Sequence, residues 1–365
     1  MIEAHHAPGI YFGMPEDEYR ADPSLSATGI KRLLVSPLDY WVTSWMNPEY
    51  VERETPAKKL GKAYHKLILE GREAFERAYA VMPSKDDYPD ALDGADALRE
   101  YCRDLGLKVS GTIAEMCARI REHDAAVQLW PEIKAHAERE ATGRTKLTFA
   151  QWQEIECAAL VISRMPSVAQ AFQGGYSEVS LFWVDGSGVP MKARIDYLKP
   201  KTIVDLKTFA NIMDKELRAA VANEIARNSY HVQAVAYVEG LKQIKAMFRE
   251  QGMDIVYGEA DPAWIKQTLT EPRTRFVFVF QQTGDVPNCI AREFAEFETW
   301  GGNGATRNAY WLSGTMAYRR GIEIFRKALD HYGTDVPWVA DHGLSALRDI
   351  DFPMWLLNAT NEEAA

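Results

Sequence analysis

A change of period at residue 176 sets the frame for the whole chain. Before it, apolar residues recur at three- and four-residue spacing, as on one face of a helix. From there on, "SEVSLFWV", "VPMKARIDYL" and "TIVDLKT" read as three strands, joined by tight turns at "DGSG" and "KPK". Neighbours i and i+2 of a strand share a face. Asp205 and Lys207 therefore point one way in the third strand, while Val204 and Leu206 point into the core. A carboxylate and an ammonium on one face of a strand with the look of a buried one call for a reason beyond stability, because a buried ion pair has a large desolvation cost.

Helical segments surround these strands, which implies an α/β chain with a central mixed sheet flanked by helices. Residues 24–45 read as two short helices, with Ser26 as N-cap of the first and Pro37 at the start of the second. In residues 56–79, Leu60, Ala63, Tyr64, Leu67 and Ile68 recur at helical spacing. Residues 83–96 are polar and turn-rich. Residues 96–123 read as helix, turn at Gly106, helix, with Ser110 or Thr112 as the second cap and Thr112 with Glu115 at capping-box spacing. Thr148 to Phe172 is expected as one longer helix, with Thr148 and Gln151 as its capping box. Residues 213–249 are expected to be helical, 275–282 a buried strand, and 305–332 a long helix with a break at Gly314. The expected organisation is 1–82 and 141–290 as two parts of one core, 83–140 as a helical insertion, and 291–365 as a C-terminal helical region.

Composition narrows the classes. The chain has 365 residues, 47% of them apolar, enough for a real core. Its charge, 42 basic against 52 acidic residues, is −10, which argues against indiscriminate coating of DNA but not against a local basic groove. No apolar run is long enough to span a membrane, and the first residues do not read as a secretory signal. The four cysteines, Cys102, Cys117, Cys157 and Cys289, are scattered without a CxxC pair, so a zinc ribbon or disulfide framework is not expected and a reducing cytoplasm fits.

Antiparallel pairing brings Asp196, on the strand before "KPK", beside Asp205, and Glu178 can join them across the "DGSG" hairpin. Three converging carboxylates repel one another unless a cation sits between them. Oxygen ligands suit Mg²⁺ or Mn²⁺. A neighbouring lysine can orient or activate water or stabilise charge on a phosphate. Metal-assisted phosphodiester hydrolysis asks for this set.

Asp196 followed after eight residues by "DLK" resembles the PD-(D/E)XK nuclease signature in its RecB-like form. Three further pieces occur in the family's order: "LGKAYHKLILEG" with His65, "YSEVSLFW" with Glu178, and "HVQAVAYVEG" with Gln233 and Tyr237. The start, "GIYFGMPEDEYRADPSLSATGIKRLLVSPLDYW", is similar to the nuclease domain of RecE-type exonucleases and their phage relatives. The resemblance implies a restriction-endonuclease-like core. It implies metal binding by His65, Asp196, Asp205 and the carbonyl of Leu206, with Lys207 as the catalytic lysine. Glu178 would position metal or water, and Gln233 and Tyr237 would hold the lysine or the DNA backbone. It further implies 5′ to 3′ degradation of linear double-stranded DNA in phage-type recombination, an annealing protein as partner, and a ring of three or four subunits.

Within the insertion, "LREYCRDLGLKVSGTIAEMCARI" resembles a SAP motif, which often binds DNA. Residues 90–123 hold five basic residues against seven acidic ones, a poor balance for that use, so DNA binding and a protein contact both stay open. Further DNA-contact candidates are Arg194, Arg227, Tyr230 and Lys108. The Trp and Tyr residues of 300–318 are candidates to stack on bases or to fill a core, and His5-His6 is expected as a mobile terminus. Two other classes stand beside the exonuclease: an endonuclease or single-strand nuclease of the same fold, and a non-catalytic DNA-binding module. A RecB-like group with an iron–sulfur cluster fits poorly, because Cys289 stands alone near the C-terminus, so no cluster is expected.

Overall fold

The structure, a computed structural model, describes residues 4–299, 305–340 and Arg348. Its strands are β1 (Gly9–Tyr11), β2 (Leu25–Ser26), β3 (Tyr79–Val81), β4 (Thr145–Leu147), β5 (Tyr176–Val184), β6 (Pro190–Lys199), β7 (Thr202–Phe209), β8 (Val256–Tyr257), β9 (Arg275–Gln282), β10 (Cys289–Glu293), β11 (Phe297–Thr299) and β12 (Ala305–Arg307). Its helices are α1 (Glu16–Ala21), α2 (Ala27–Val35), α3 (Pro37–Val42), α4 (Pro56–Ala78), α5 (Gly94–Asp104), α6 (Ile113–His123), α7 (Trp130–Glu140), α8 (Phe149–Ser163), α9 (Pro166–Ala169), α10 (Leu217–Arg227), α11 (Tyr230–Gln251), α12 (Pro262–Thr270) and α13 (Ala309–Tyr332). None of the helices described is long and apolar enough to cross a membrane.

The central sheet runs β10-β9-β7-β6-β5-β1-β8, with β2 on β6 as well. It is mixed: β7 pairs β9 in parallel, while β5, β6 and β7 form the antiparallel meander of the two tight turns. One face is covered by α11, with α2 and α13 packed on that helix, and its core includes Ile195, Ile203, Phe276 and Phe278. The other face carries Val204, Leu206 and Val279 under Leu69 of α4 and Ile162 of α8. Each such side chain, fully buried, contributes about 1.5–3 kcal/mol. This is the α/β architecture expected from the sequence.

Two irregularities interrupt the sheet near its centre. β6 pairs β7 only from Tyr197↔Val204 to Lys199↔Thr202, and farther back β2 takes over that edge of β6 at Leu25↔Met191 and Ser26↔Lys192. β6 and β7 thus fork at Asp196. Side-chain alternation also reverses there: Ala193 and Ile195 face α11, yet beyond Asp196 it is Leu198 that faces α11 and Tyr197 that faces the opposite core. β5 reverses at the matching place, where Glu178 adopts φ 54° between the pairs Ser177↔Tyr197 and Val179↔Ile195. A left-handed glutamate inside a strand is strained backbone, and such strain gathers at functional sites.

Residues 83–140 form a unit with its own core of Leu98, Cys102, Met116, Cys117, Ile120 and Leu129. β3 and β4 pair in parallel where the chain leaves and re-enters. Thr112, not Ser110, caps α6, in a complete capping box with Glu115.

Several expectations need correction. The helix of Thr148–Phe172 ends at Ser163, because Pro166 cannot continue it, and restarts as α9 and a short 3-10 turn. The helix of 213–249 is two helices, α10 and α11, separated at Asn228-Ser229 with Ser229 at φ 51°. α13 runs unbroken through Gly314, and a Cβ there would lie 2.7 Å from the carbonyl oxygen of His231, so this glycine serves close helix packing rather than a break. Residues 305–307 are a strand paired with β11, so the C-terminal region is not wholly helical. Residues 341–347 and 349–365 lie outside those described, as does Trp300. Trp311 and Tyr318 are buried while Tyr310 is exposed. His6 is held rather than loose: Nδ1 lies 3.0 Å from Asp22, Nε2 lies 3.0 Å from Glu18, and the ring stacks on Phe182.

Candidate metal and catalytic site

The fork between β6 and β7 gathers the chemistry. Asp196 sits where the two strands part, and its Oδ2 accepts the Leu206 N–H at 2.7 Å, a backbone donor that the missing ladder would otherwise leave unpaired. α4 enters from the opposite face. It comes close because residue 61 is glycine: a Cβ there would stand 3.3 Å from the Thr208 hydroxyl. One helical turn on, His65 is delivered to the backbone of Leu206 and to Asp196, with Nδ1 3.8 Å from Oδ2.

His65, Glu178 and Asp196 each offer a ligand atom, and these atoms lie within 4.8 Å of one another. The left-handed turn at Glu178 aims its carboxylate into this group, and Arg194 holds it there, Nε donating to Oε2 at 2.6 Å. Arg194 is itself fixed by the carbonyl of Met14, the hydroxyl of Ser180 and the ring of Tyr19. Its guanidinium therefore stands behind Glu178, on the wall of the groove that the site opens into.

Asp205 lies on the α11 face of β7, with no exposed surface. Oδ1 accepts from Gln233 Nε2 at 2.9 Å, and Oδ2 lies 2.5 Å from Lys207 Nζ. That oxygen has no hydrogen bond of good geometry. Gln233 also contacts the Tyr237 hydroxyl, one turn further along α11. The structure therefore brings Lys207, Asp205, Gln233 and Tyr237 together in one group and His65, Glu178 and Asp196 in an adjoining one. Of the expected ligands, Asp205 stands outside the three-residue cluster, with Oδ2 paired to the lysine, and Leu206 contributes its N–H to Asp196.

The charges are out of balance. Burial pushes the carboxyls of Asp196 and Glu178 up, and Asp196 adds to the effect on Glu178. Burial pushes Asp205 up to about 6 against the pull of Lys207. Burial holds His65 low, and Lys207 reinforces this. Around Lys207, burial is outweighed by Asp205 and Asp196, so its pKa is raised and it stays protonated. A charged lysine of that kind can orient water or neutralise phosphate charge. Three reluctant carboxylates and a neutral imidazole are what a hard divalent ion relieves. The clustered donors of His65, Glu178 and Asp196 fit Mg²⁺ or Mn²⁺, the imidazole nitrogen being better suited to Mn²⁺.

The site opens into a groove of about 1290 Å³ that reaches from His65 and Asp196 past Thr28 and Arg32 to Trp45 and Lys58. The remaining candidates are scattered. Tyr230 lies next to the site, its ring 5.2 Å from Lys207 Nζ. Arg227 is exposed and paired with Glu224. Lys108 is exposed on the turn between α5 and α6, remote in sequence and without an ion pair among the described residues. Three of the five basic residues of 90–123 are engaged locally: Arg99 with Asp96, Arg121 with Glu132, and Arg119 with the carbonyls of Lys108 and Ser110. Sequence reasoning missed Lys31, whose ammonium shares the Tyr230 ring with Lys207. It also missed the role of Arg194 behind Glu178. No local pattern marks either, since both depend on which elements meet.

No curated protein matches the chain. A crystal structure from Eubacterium rectale described as "Putative exonuclease" is 12% identical, covers 86% of this chain and 86% of its own, and superposes with a TM-score of 0.43, a likeness too loose to carry an argument about function. The family described as "PDDEXK-like domain of unknown function (DUF3799)" matches residues 26–255, a span that contains every residue of both groups at the fork. The chain, with its forked sheet and the acids and lysine set on it, belongs to that PDDEXK-like family.

Proposed function

We propose that this chain is a Mg²⁺- or Mn²⁺-dependent nuclease that hydrolyses phosphodiester bonds of linear double-stranded DNA from an end, 5′ to 3′, in the manner of RecE-type exonucleases. The observation that carries the reading is the junction at the fork: a His65–Glu178–Asp196 cluster on one side and a protonated Lys207 on the other. A structural ion pair accounts for Asp205 and Lys207 alone. It does not account for two further half-buried acids with raised pKa values, one of them, Glu178, on left-handed backbone.

His65, Glu178 and Asp196 would hold the ion, with Asp205 beside them paired to Lys207. The ion supplies a Lewis acid for water and phosphate. The protein's own residues do the rest. Arg194 fixes the Glu178 carboxylate. Gln233 fixes Asp205, and Asp205 keeps Lys207 charged. Lys207 then donates to a non-bridging phosphate oxygen or to the attacking water, where negative charge builds in the transition state. The groove is lined by His65, Glu178 and Asp196, so a strand lying in it meets the acid cluster.

The finer parts of the proposal rest on the resemblance: the polarity, a phage-type recombination role in the host cytoplasm, a single-strand annealing partner, a ring of three or four subunits, and residues 83–140 as a SAP-like module. The local engagement of Arg99, Arg119 and Arg121 favours a protein contact over DNA for that module. The decisive experiment incubates 5′-labelled linear duplex and a covalently closed circle with the protein, with Mg²⁺ and with EDTA. Mononucleotides from the linear DNA alone, with Mg²⁺ alone, support the exonuclease. Cutting of the circle moves the protein to the endonuclease class, and no cutting of duplex or single strands leaves the non-catalytic binding module.

A further inference from the structure

Burial presses three lysines down to about 8: Lys31, Lys192 and Lys245. An ammonium has three protons to donate and no lone pair. Lys192 donates to the carbonyls of Tyr19, Arg20 and Asp22. Lys245 donates to the carbonyls of Glu271 and Arg273 and to the Thr274 hydroxyl. Both are saturated struts between elements. Lys31 makes one hydrogen bond, to the carbonyl of Asn228 at 3.1 Å, and has no carboxylate in ion-pair reach among the described residues.

Its surroundings make this stranger still. The Nζ of Lys31 lies 5.3 Å from the centre of the Tyr230 ring, and the Nζ of Lys207 lies 5.2 Å from the same centre. After burial, Lys207 is the chief cause of the depressed pKa of Lys31, and Lys31 in turn depresses His231. Two ammoniums share one ring, and only Lys207 has a carboxylate beside it. The Tyr230 hydroxyl, on the same ring, makes no hydrogen bond among the described residues. Half-buried positive charge with spare donors is costly unless an anion completes it. The segment that presents Tyr230 begins at Ser229, whose φ of 51° lets α10 break and α11 start beside the site.

We infer that Lys31, with the Tyr230 hydroxyl, binds a phosphate of the nucleic-acid strand next to the one at Lys207. The inference rests on the proposed nuclease reading and adds to it a substrate contact on α2, an element outside the acid–lysine constellation. A phosphodiester matches the site because it supplies a single negative charge and two free oxygens, enough for the spare donors of Lys31 and for the phenol. Lys31 contacts substrate in this assignment and takes no part in the bond exchange.

The test uses the full chain with Lys31→Gln, Lys31→Arg and Tyr230→Phe. Binding to a hairpin duplex is followed by fluorescence anisotropy with Ca²⁺ in place of Mg²⁺, across a salt series, and steady-state cleavage is followed with Mg²⁺. Removing a single phosphate partner lowers the slope of log affinity against log salt by about 0.9. Lys31→Gln is expected to show that decrease and to lower kcat/KM roughly tenfold, carried by KM. Lys31→Arg restores both, and Tyr230→Phe gives a smaller loss with an unchanged slope. A merely structural strap from α2 to Asn228 predicts something else: a lower melting temperature with slope and KM as in the wild type. That outcome overturns the inference and leaves the nuclease reading intact. Loss of kcat at unchanged KM and slope overturns it as well, because Lys31 would then act on the reacting phosphate. A wild-type chain that neither binds nor cleaves DNA removes both the reading and the inference.

Discussion

The fork at Asp196 and the helical unit of residues 83–140 handle charge in opposite ways. In the helical unit, acids are settled where they fall. Glu115 closes the capping box of α6, and hydrogen bonds to Thr112 pull its pKa down. Asp124 accepts from Tyr101, and its pKa falls too. Arg121 answers Glu132. At the fork, Glu178, Asp196 and Asp205 are all pushed up, and Glu178 holds a strained backbone. Both regions have well-buried apolar cores, so the contrast does not come from careless packing. Perturbed ionisable groups gathered in this way mark the fork, not the helical unit, as the candidate functional site.

Four experiments break or sharpen this contrast. The largest effect is expected from Lys207→Ala, which removes the ammonium that the proposed mechanism places at the transition state. Cleavage should fall by at least about 10³-fold while binding to duplex in Ca²⁺ persists, and single-turnover assays at wild-type rate would end the assignment.

Next comes Arg194→Gln. With Glu178 unheld, Mn²⁺ affinity measured by calorimetry should drop by about 10- to 100-fold, with partial recovery in Arg194→Lys. An unchanged affinity would mean that Glu178 is no ligand.

The third is a pH effect. Asp205 titrates at about 6 in the fold but near 4 in an unfolded chain, so the folded state holds the extra proton between those values. Stability contributed by that proton is present below about pH 4 and is lost as pH rises through about 6, a change on the order of 3 kcal/mol. His65 acts in the opposite sense, because its pKa is lowered and the neutral ring is favoured in the fold. An ion must displace the carboxyl protons, so the rise in melting temperature on adding Mn²⁺ should be larger at pH 7 than at pH 5. Equal rises at the two pH values would show that these carboxyls do not bind it.

The smallest effect is Thr112→Ala, which opens the capping box of α6. It should cost about 1 kcal/mol in denaturant unfolding and leave cleavage untouched. A change in cleavage rate would tie the helical unit to the site.

The local sequence was enough for the meander of β5, β6 and β7, for Ser26 and Thr148 as caps, and for β9, because strand period, turn residues and capping oxygens act within a few residues of themselves. It misjudged α8 and the α10–α11 boundary. At the first, helix-favouring residues run up to a Met-Pro step, and at the second, the break is a left-handed serine that no composition announces. The short strands β1, β2 and β8 have no signature of their own, since two or three residues become a strand only when an edge is there to receive them.

The site divides along the same line. Asp196, Asp205 and Lys207 were readable from strand alternation, and the family resemblance added His65, Glu178, Gln233 and Tyr237. Which acids share a cluster was not readable, because alternation reverses at Glu178 and Asp196 together and brings those two to His65, while Asp205 keeps the regular alternation of β7 and faces Gln233 and Lys207. Arg194 behind Glu178 and Lys31 beside Tyr230 came from tertiary structure alone: the first depends on Met14 and Tyr19, far away in the chain, and the second on Asn228, 197 residues from Lys31. Short-range rules of period and capping decide which elements exist. The fork, the close approach of α4 at Gly61 and the meeting of α2 with α11 decide which charges face each other, and those contacts exist only once the chain has packed.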